Sequence, residues 1–208
     1  RKFLGLVLHM GMIKMPSFKH YWKTDKLFCS NIFSSVMSRE RFQLIMRFLH
    51  FGNNPDFIGD RLGKVRLLIH HLNDTMAELY VPGKDLSVDE SMMLFRGRLV
   101  FRQYIKNKRH KYGVKYYELC TSDGLILNNS ICGAQAEIST NTTLSLGKTA
   151  EVVLNLMEDF VFKGHHLFAD NYYSSVALTH HFTNQQTFIT GTLRKDRVGN
   201  PKLVIKKN

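Results

Sequence analysis

Two aspartates sit where side chains can do chemistry. Asp170 closes the apolar run Leu167-Phe168-Ala169, which comes after Gly164 and precedes Asn171, two tyrosines and a Ser pair. So short an apolar run between turn-forming residues reads as a buried strand. An acid at its end must be solvated, paired or bound to a cation, because a bare carboxylate is costly to bury. Asp170 therefore either caps the next helix or binds a ligand. Asp89 ends the alternating stretch Asp85-Leu86-Ser87-Val88-Asp89 and faces the opposite side of the strand from Val88. Either acid alone reads first as a solvated strand residue. Two acids at the ends of strands that topology makes neighbours suggest more, since hard cations such as Mg2+ need only one or two carboxylates beside water and substrate phosphate. Paired carboxylates thus suit metal-assisted phosphoryl transfer.

Between the two acids, residues 95–115 carry Arg96, Arg98, Arg102, Lys106, Lys108, Arg109, Lys111 and Lys115 with no Asp or Glu, and with Phe101, Tyr104 and Tyr112 interleaved. A charge run is usually a solvated face, but one without acids beside a carboxylate pair suits a phosphate backbone. The aromatics either stack on bases or anchor the segment to the core. The whole chain agrees in sign: 29 Lys and Arg against 17 Asp and Glu give a formal charge of +12. That balance favours an anionic partner, nucleic acid first and an acidic membrane surface second. The basic residues do not lie on an amphipathic helix, and no stretch has the apolar length of a membrane span.

Other chemistry-bearing residues point nowhere in particular. The histidine pairs at 70–71, 165–166 and 180–181 are adjacent, so each pair diverges in a strand or a helix, and no metal-ligand spacing accompanies them. Leu146-Gly147-Lys148-Thr149 lacks the first glycine of a phosphate loop and reads as the start of a helix. Cys29, Cys120 and Cys132 are an odd number without paired spacing, which favours a reducing compartment over a disulfide framework. The glycosylation-like triplets at Asn73, Asn128 and Asn141 are then chance matches.

The elements that must position the acids can be read from periodicity. Up to about residue 80 it is helical. Leu4, Val7, Leu8 and Met12 share one face, in what reads as an internal helix of a longer parent chain. So do Phe42, Ile45, Met46 and Leu49 after an N-cap at Ser38, and Val65, Leu68, Ile69, Leu72, Met76 and Leu79 after Asp60. From Val81-Pro82-Gly83 onward strands dominate: one carrying Asp89, then residues 114–121 and 125–134 as a hairpin turning at Ser122-Asp123-Gly124. A helix with Ala150, Val153, Leu154, Met157 and Val161 on one side ends at Gly164. After it come the strand ending at Asp170, a helix over 174–183 and a strand over 187–193. The expected organisation is a helical region, residues 1–80, and a mixed-sheet region, residues 81–208, of α+β or α/β class. A strand-helix-strand crossover sets its strands parallel, which brings the Asp170 strand beside the Asp89 strand.

The segments LSVDESMMLFRGRLVFRQYIKNKRHKYGVK, FADNYYSS and FITGTLRKDR, in that order, resemble the piggyBac transposase family and its domesticated descendants. The likeness is specific over about residues 85–197 and looser in the helical part, which is similar to the family's dimerisation and DNA-binding region. It implies a partial RNase H-like core in which Asp89 and Asp170 are the first two of three catalytic, metal-holding aspartates, with Mg2+ or Mn2+ as cofactor. It also implies DNA as partner, both transposon ends and a TTAA target, with a homodimer and a nuclear location. The family's third Asp belongs to a Gly-Val-Asp-like segment expected beyond Asn208, and Asp196 does not match it; the Cys-rich zinc module of the family is not matched either. Two functions are implied: metal-dependent strand cleavage and transfer in which the rest of a parent chain supplies the third acid, or a catalytically inactive module that binds DNA or protein.

Overall fold

The computed structural model describes residues 1–28, 30–53, 60–106, 108, 110–133 and 146–201. Cys29, Asn141, Arg109 and most of the loop expected between Phe51 and Asp60 lie outside the described residues. Contacts divide the chain into two units, Arg1–Phe51 and Gly52–Asn208.

The first unit holds helices α1 (Lys2–Met12), α2 (Asn31–Val36) and α3 (Arg39–Phe48), with a 3-10 turn over Phe18–Trp22. Ser38 caps α3 as expected, its side chain accepting from the Arg41 N–H. The small core is aromatic: Phe3, Leu6, Tyr21, Phe33 and Phe42 are buried together. The Tyr21 hydroxyl donates to the Ile13 carbonyl at 2.8 Å and the Trp22 indole to Met37 at 2.8 Å, so buried ring polar atoms are satisfied. In α1 the face expected to be buried is the exposed one. Leu4, Val7, Leu8 and Met12 are open, while Phe3 and Leu6 turn inward because they meet the Phe33 and Phe42 rings.

In the second unit α4 (Gly63–Leu79) precedes six strands: β1 (Asp85–Leu94), β2 (Gln103–Tyr104), β3 (Tyr112–Thr121), β4 (Ile126–Ile131), β5 (His166–Ala169) and β6 (Phe188–Gly191). Helix α5 (Lys148–Met157) lies between β4 and β5, and α6 (Val176–Asn184) between β5 and β6. The sheet runs β2-β3-β1-β5-β6, with β4 also paired to β3. β1 is antiparallel to β3 and parallel to β5, and β5 is parallel to β6, giving the mixed sheet expected.

One face of the sheet is covered by α5 and α6. Leu86, Val88, Leu119, Leu167 and Ala169 pack there with Val153, Leu156, Met157, Leu178 and Phe182, all buried. By alternation Val114 and Tyr116 face the other side, where Leu62, Val65 and Ile69 from α4 and its approach join them. Asn73 of α4 brackets Asn129 of β4: it donates to the Asn129 carbonyl at 2.9 Å, and its side-chain oxygen accepts from the Asn129 N–H at 3.1 Å. That docking places α4 with the sheet, so the boundary between the compact units falls between Phe51 and Gly52, ahead of the helix-to-strand change at residue 80.

Helix α5 stops at Met157 and passes into a 3-10 turn, Glu158–Phe160, earlier than the expected end at Gly164. The chain is diverted where Phe162 takes φ of 61° and its N–H donates to the Gln185 carbonyl. Gly147, at φ 89°, precedes the first residue of α5, so Gly147-Lys148-Thr149 is helix-start chemistry as read from the sequence.

Candidate functional site

β1 is the central strand of the site. In its parallel ladder with β5, Leu86 pairs with Leu167 and Val88 with Ala169. The next residue on each strand is an acid: Asp89 and Asp170. Leu86, Val88, Leu167 and Ala169 are buried against the helices, so alternation sends both carboxylates to the opposite face, where both residues are exposed. Adjacent strands run about 4.8 Å apart, which sets the two acids side by side, Asp170 just past the end of β5 and Asp89, contrary to the strand-end position expected, midway along β1.

Each carboxylate accepts from the amide of the residue after it, Asp89 from Glu90 at 2.8 Å and Asp170 from Asn171 at 2.5 Å. Among the described residues neither has an ion-pair partner. Asp170 does not cap α6; Ser175 does, accepting from the Leu178 N–H. The capping answer to the Asp170 question is therefore excluded for the helix, and two open carboxylates remain.

Glu118 stands directly opposite Asp89 in the antiparallel ladder with β3 and accepts a hydrogen bond from Ser91 at 2.7 Å. Like charges opposed across a ladder repel. Burial first, and then the combined field of these two acids, pushes the Cys120 thiol up. The open donor set of Asp89 and Asp170 fits a hard divalent cation, which needs one or two carboxylates plus water and substrate oxygens. Among the described residues no group of three His, Cys, Asp or Glu is arranged to hold a metal ion.

On the helix-covered face, one residue past Asp89, Glu90 is half-buried. Its Oε2 accepts from the hydroxyl of buried Tyr173 at 3.1 Å and its Oε1 lies 3.3 Å from Lys108 Nζ. Burial raises its pKa, but the charges of Lys115 and Lys108 and the Tyr173 hydrogen bond outweigh it and hold the carboxyl below its usual value. Burial and the Glu90 charge push the Tyr173 phenol strongly up, so it stays a donor.

The basic segment divides by environment. Arg96, Arg98, Arg102, Lys106 and Lys111 are exposed, and Lys108 is half-buried in its pair with Glu90. Arg102 is also structural: its guanidinium donates to the Arg96 and Gly97 carbonyls and lies over the Tyr112 ring. Lys115 is buried, its ammonium 4.7 Å from the Tyr117 ring centroid and 5.2 Å from that of Tyr172, so it braces rings instead of presenting an open charge. The aromatics split too. Phe101 anchors into the core beside Val114, while Tyr104 and Tyr112 stack on each other at 4.7 Å with both rings exposed.

The turn after Asp170 is built from its own sequence and from the segment after β6. The Asp170 carbonyl accepts from the Tyr173 and Ser174 amides. Arg197 donates to the Asn171 and Tyr172 carbonyls, and Arg194 to the Asn171 side chain at 3.3 Å. Gly191 is fixed by proximity: a Cβ there collides with the Ser174 hydroxyl and the Ala169 carbonyl. The same holds for Gly113 against the Met93 carbonyl. Sequence reasoning singles out Asp89, Asp170 and the basic run but misses Glu90, Tyr173, Arg194 and Arg197 as supports. The one signal for them was Glu90 itself, an acid that alternation places on the apolar side of β1 with Leu86 and Val88.

A family described as Transposase IS4 matches this chain over residues 1–208. The chain is 28% identical over 205 residues to PiggyBac transposable element-derived protein 3 of Homo sapiens, covering 94% of this chain and 33% of that protein. It is 27% identical over 198 residues to PiggyBac transposable element-derived protein 2 of Homo sapiens, covering 93% and 33%. It thus spans about a third of the length of these curated relatives. Among solved structures, a piggyBac transposase synaptic complex with hairpin DNA, determined by cryo-EM, superposes with a TM-score of 0.80 at 27% identity, over 99% of this chain and 44% of that one. The N-terminal helices and mixed sheet match that transposase.

Proposed function

The chain belongs to the piggyBac-type transposase family, and on that basis we propose that it is the DNA-handling part of a transposase-derived protein, in which Asp89 and Asp170 serve metal-dependent strand cleavage and transfer. The observation that carries this reading is the β1–β5 register, which is followed on both strands by an exposed acid with no ion-pair partner among the described residues. Asp89 and Asp170 would hold the divalent cation, Mg2+ or Mn2+. When bound, that cation would supply Lewis-acid polarisation of phosphodiester oxygens.

The remaining work falls to the chain's own side chains. Arg96, Arg98, Arg102, Lys106 and Lys111, exposed and close in sequence to the Asp89 strand, take the phosphate backbone, joined by Arg109 from the same run. The exposed Tyr104 and Tyr112 rings offer faces to bases. Transposon ends and a TTAA target are the proposed DNA, a homodimer the proposed assembly and the nucleus the proposed site of action. DNA as partner is supported by the hairpin-DNA complex of the structural relative and by the formal charge of +12.

Incubating a parent protein that contains this chain and supplies the third acid with Mn2+ and duplex DNA carrying TTAA tests this function. Nicking is expected, with loss of nicking but near-normal DNA affinity in Asp89→Ala and Asp170→Ala. Nicking that persists in either variant contradicts the assignment. Salt-dependent DNA binding without any nicking by the wild-type parent protein points instead to an inactive binding module.

A further inference from the structure

The two proposed ligands reach the site from different parts of the chain, and one hydrogen bond ties those parts together behind the sheet. Glu90 comes directly after Asp89, and Tyr173 lies three residues after Asp170. The Tyr173 hydroxyl donates to Glu90 Oε2 at 3.1 Å across a sequence separation of 83 residues. Tyr173 is buried at 1% exposure, its ring edge-on to Tyr117 and Tyr172, so it has little room to swing. Its own amide and that of Ser174 close the turn on the Asp170 carbonyl at 3.0 and 3.1 Å. The Ser174 hydroxyl also donates to the Ala169 carbonyl, at the last residue of β5. A continuous path thus runs from the Asp170 carbonyl through the Tyr173 ring to Glu90 and the backbone of Asp89.

We propose that Glu90 and Tyr173 form a strut that holds the turn after Asp170 in register with Asp89, making both of them positioning residues for the carboxylate pair. Lys108, 3.3 Å from the other oxygen of Glu90, orients the carboxylate and links the strut to the basic segment. Removing one partner leaves the other as an unsatisfied polar group in a largely buried place, so the turn opens more often. The consequence for cation binding rests on the reading of Asp89 and Asp170 as ligands. The consequence for the turn does not.

The test therefore uses two readouts on the intact chain. Amide hydrogen exchange at Tyr173 and Ser174 is expected to quicken about tenfold in Tyr173→Phe and in Glu90→Ala, with no further gain in the double variant. Glu90→Gln keeps an oxygen acceptor and is expected to stay within about threefold of wild type, while exchange at Leu119 and Leu167 is unchanged in all variants. Mn2+ affinity is expected to fall about tenfold in Tyr173→Phe, the range typical of removing a group that orients a ligand. Wild-type exchange at Tyr173 and Ser174 in Tyr173→Phe overturns the strut, as do additive effects in the double variant or equal acceleration at Leu119. If the wild-type chain binds no Mn2+, the ligand reading fails and the exchange result alone judges the strut.

Discussion

Asp170 comes after Ala169 as Asp89 comes after Val88, and Val88 and Ala169 are partners in one parallel ladder. The two carboxylates consequently leave neighbouring strands at the same level and on the face away from α5 and α6. Parallel pairing produces this only because a long crossover separates the strands: β2, β3, β4 and α5 intervene before the chain returns to lie beside β1.

The basic segment is expected to bind phosphates through its exposed arginines. Replacing Arg96 and Arg98 by Ala should lower the slope of log affinity against log salt by about 0.9 for each phosphate that is no longer neutralised. Fluorescence anisotropy with duplex DNA at a series of salt concentrations measures this. Arg102→Ala should in addition loosen the loop, because its guanidinium holds the Arg96 and Gly97 carbonyls. An unchanged slope in the Arg96 and Arg98 variants removes this segment as the phosphate surface.

Gly191→Ala is expected to destabilise the second unit by about 1–3 kcal/mol, the usual cost of forcing a group into a filled place. The added methyl meets the Ser174 hydroxyl and the Ala169 carbonyl beside the Asp170 turn. Urea denaturation gives the stability. A variant as stable as wild type would mean that β6 shifts away from β5 at no cost.

Acid should weaken the α4 approach through one ion pair. Arg66 donates two hydrogen bonds to Asp60 at 2.8 Å, and that pairing holds the Asp60 carboxyl at about 2, below its ordinary 3.8. A depressed carboxyl stabilises the fold above its unfolded pKa and ceases to do so as pH falls through the folded one. The stability difference between wild type and Arg66→Gln should therefore be constant above about pH 4 and close as pH approaches 2. Urea midpoints taken at steps between these limits check it, and a difference that does not depend on pH contradicts the pairing.

Much of this site is legible in the residues alone, and the reason is periodicity. Asp85 to Asp89 reads as an alternating strand because apolar spacing records which face is covered; Leu167-Phe168-Ala169 reads as a buried strand, and it does form one, but only Leu167 and Ala169 are buried while Phe168 is exposed on the face of Asp170. Their adjacency comes from the crossover rule. The capping option for Asp170 stays open in sequence because a carboxylate before a helix reads the same whichever residue caps it; the structure gives that part to Ser175. Periodicity misplaces the buried face of α1, because Phe3 and Leu6, not the more regular Leu4, Leu8 and Met12, meet the aromatic core, and Met46 of α3 and Leu72 and Leu79 of α4 are likewise exposed although they share the expected apolar faces. The Glu90 to Tyr173 bond and the Arg197 contacts are not legible, since they join residues far apart in the chain through side-chain direction. In sequence Lys115 is one more surface cation, and only packing against Tyr117 and Tyr172 shows it buried.

Whether Asp89 and Asp170 share a cation is best decided by a crystal structure of the chain soaked in Mn2+, with anomalous scattering used to locate the ion. An anomalous peak bridging the Asp89 and Asp170 carboxylates is predicted, absent in crystals of Asp89→Asn. Carboxylates that point apart with no peak between them would contradict the shared site.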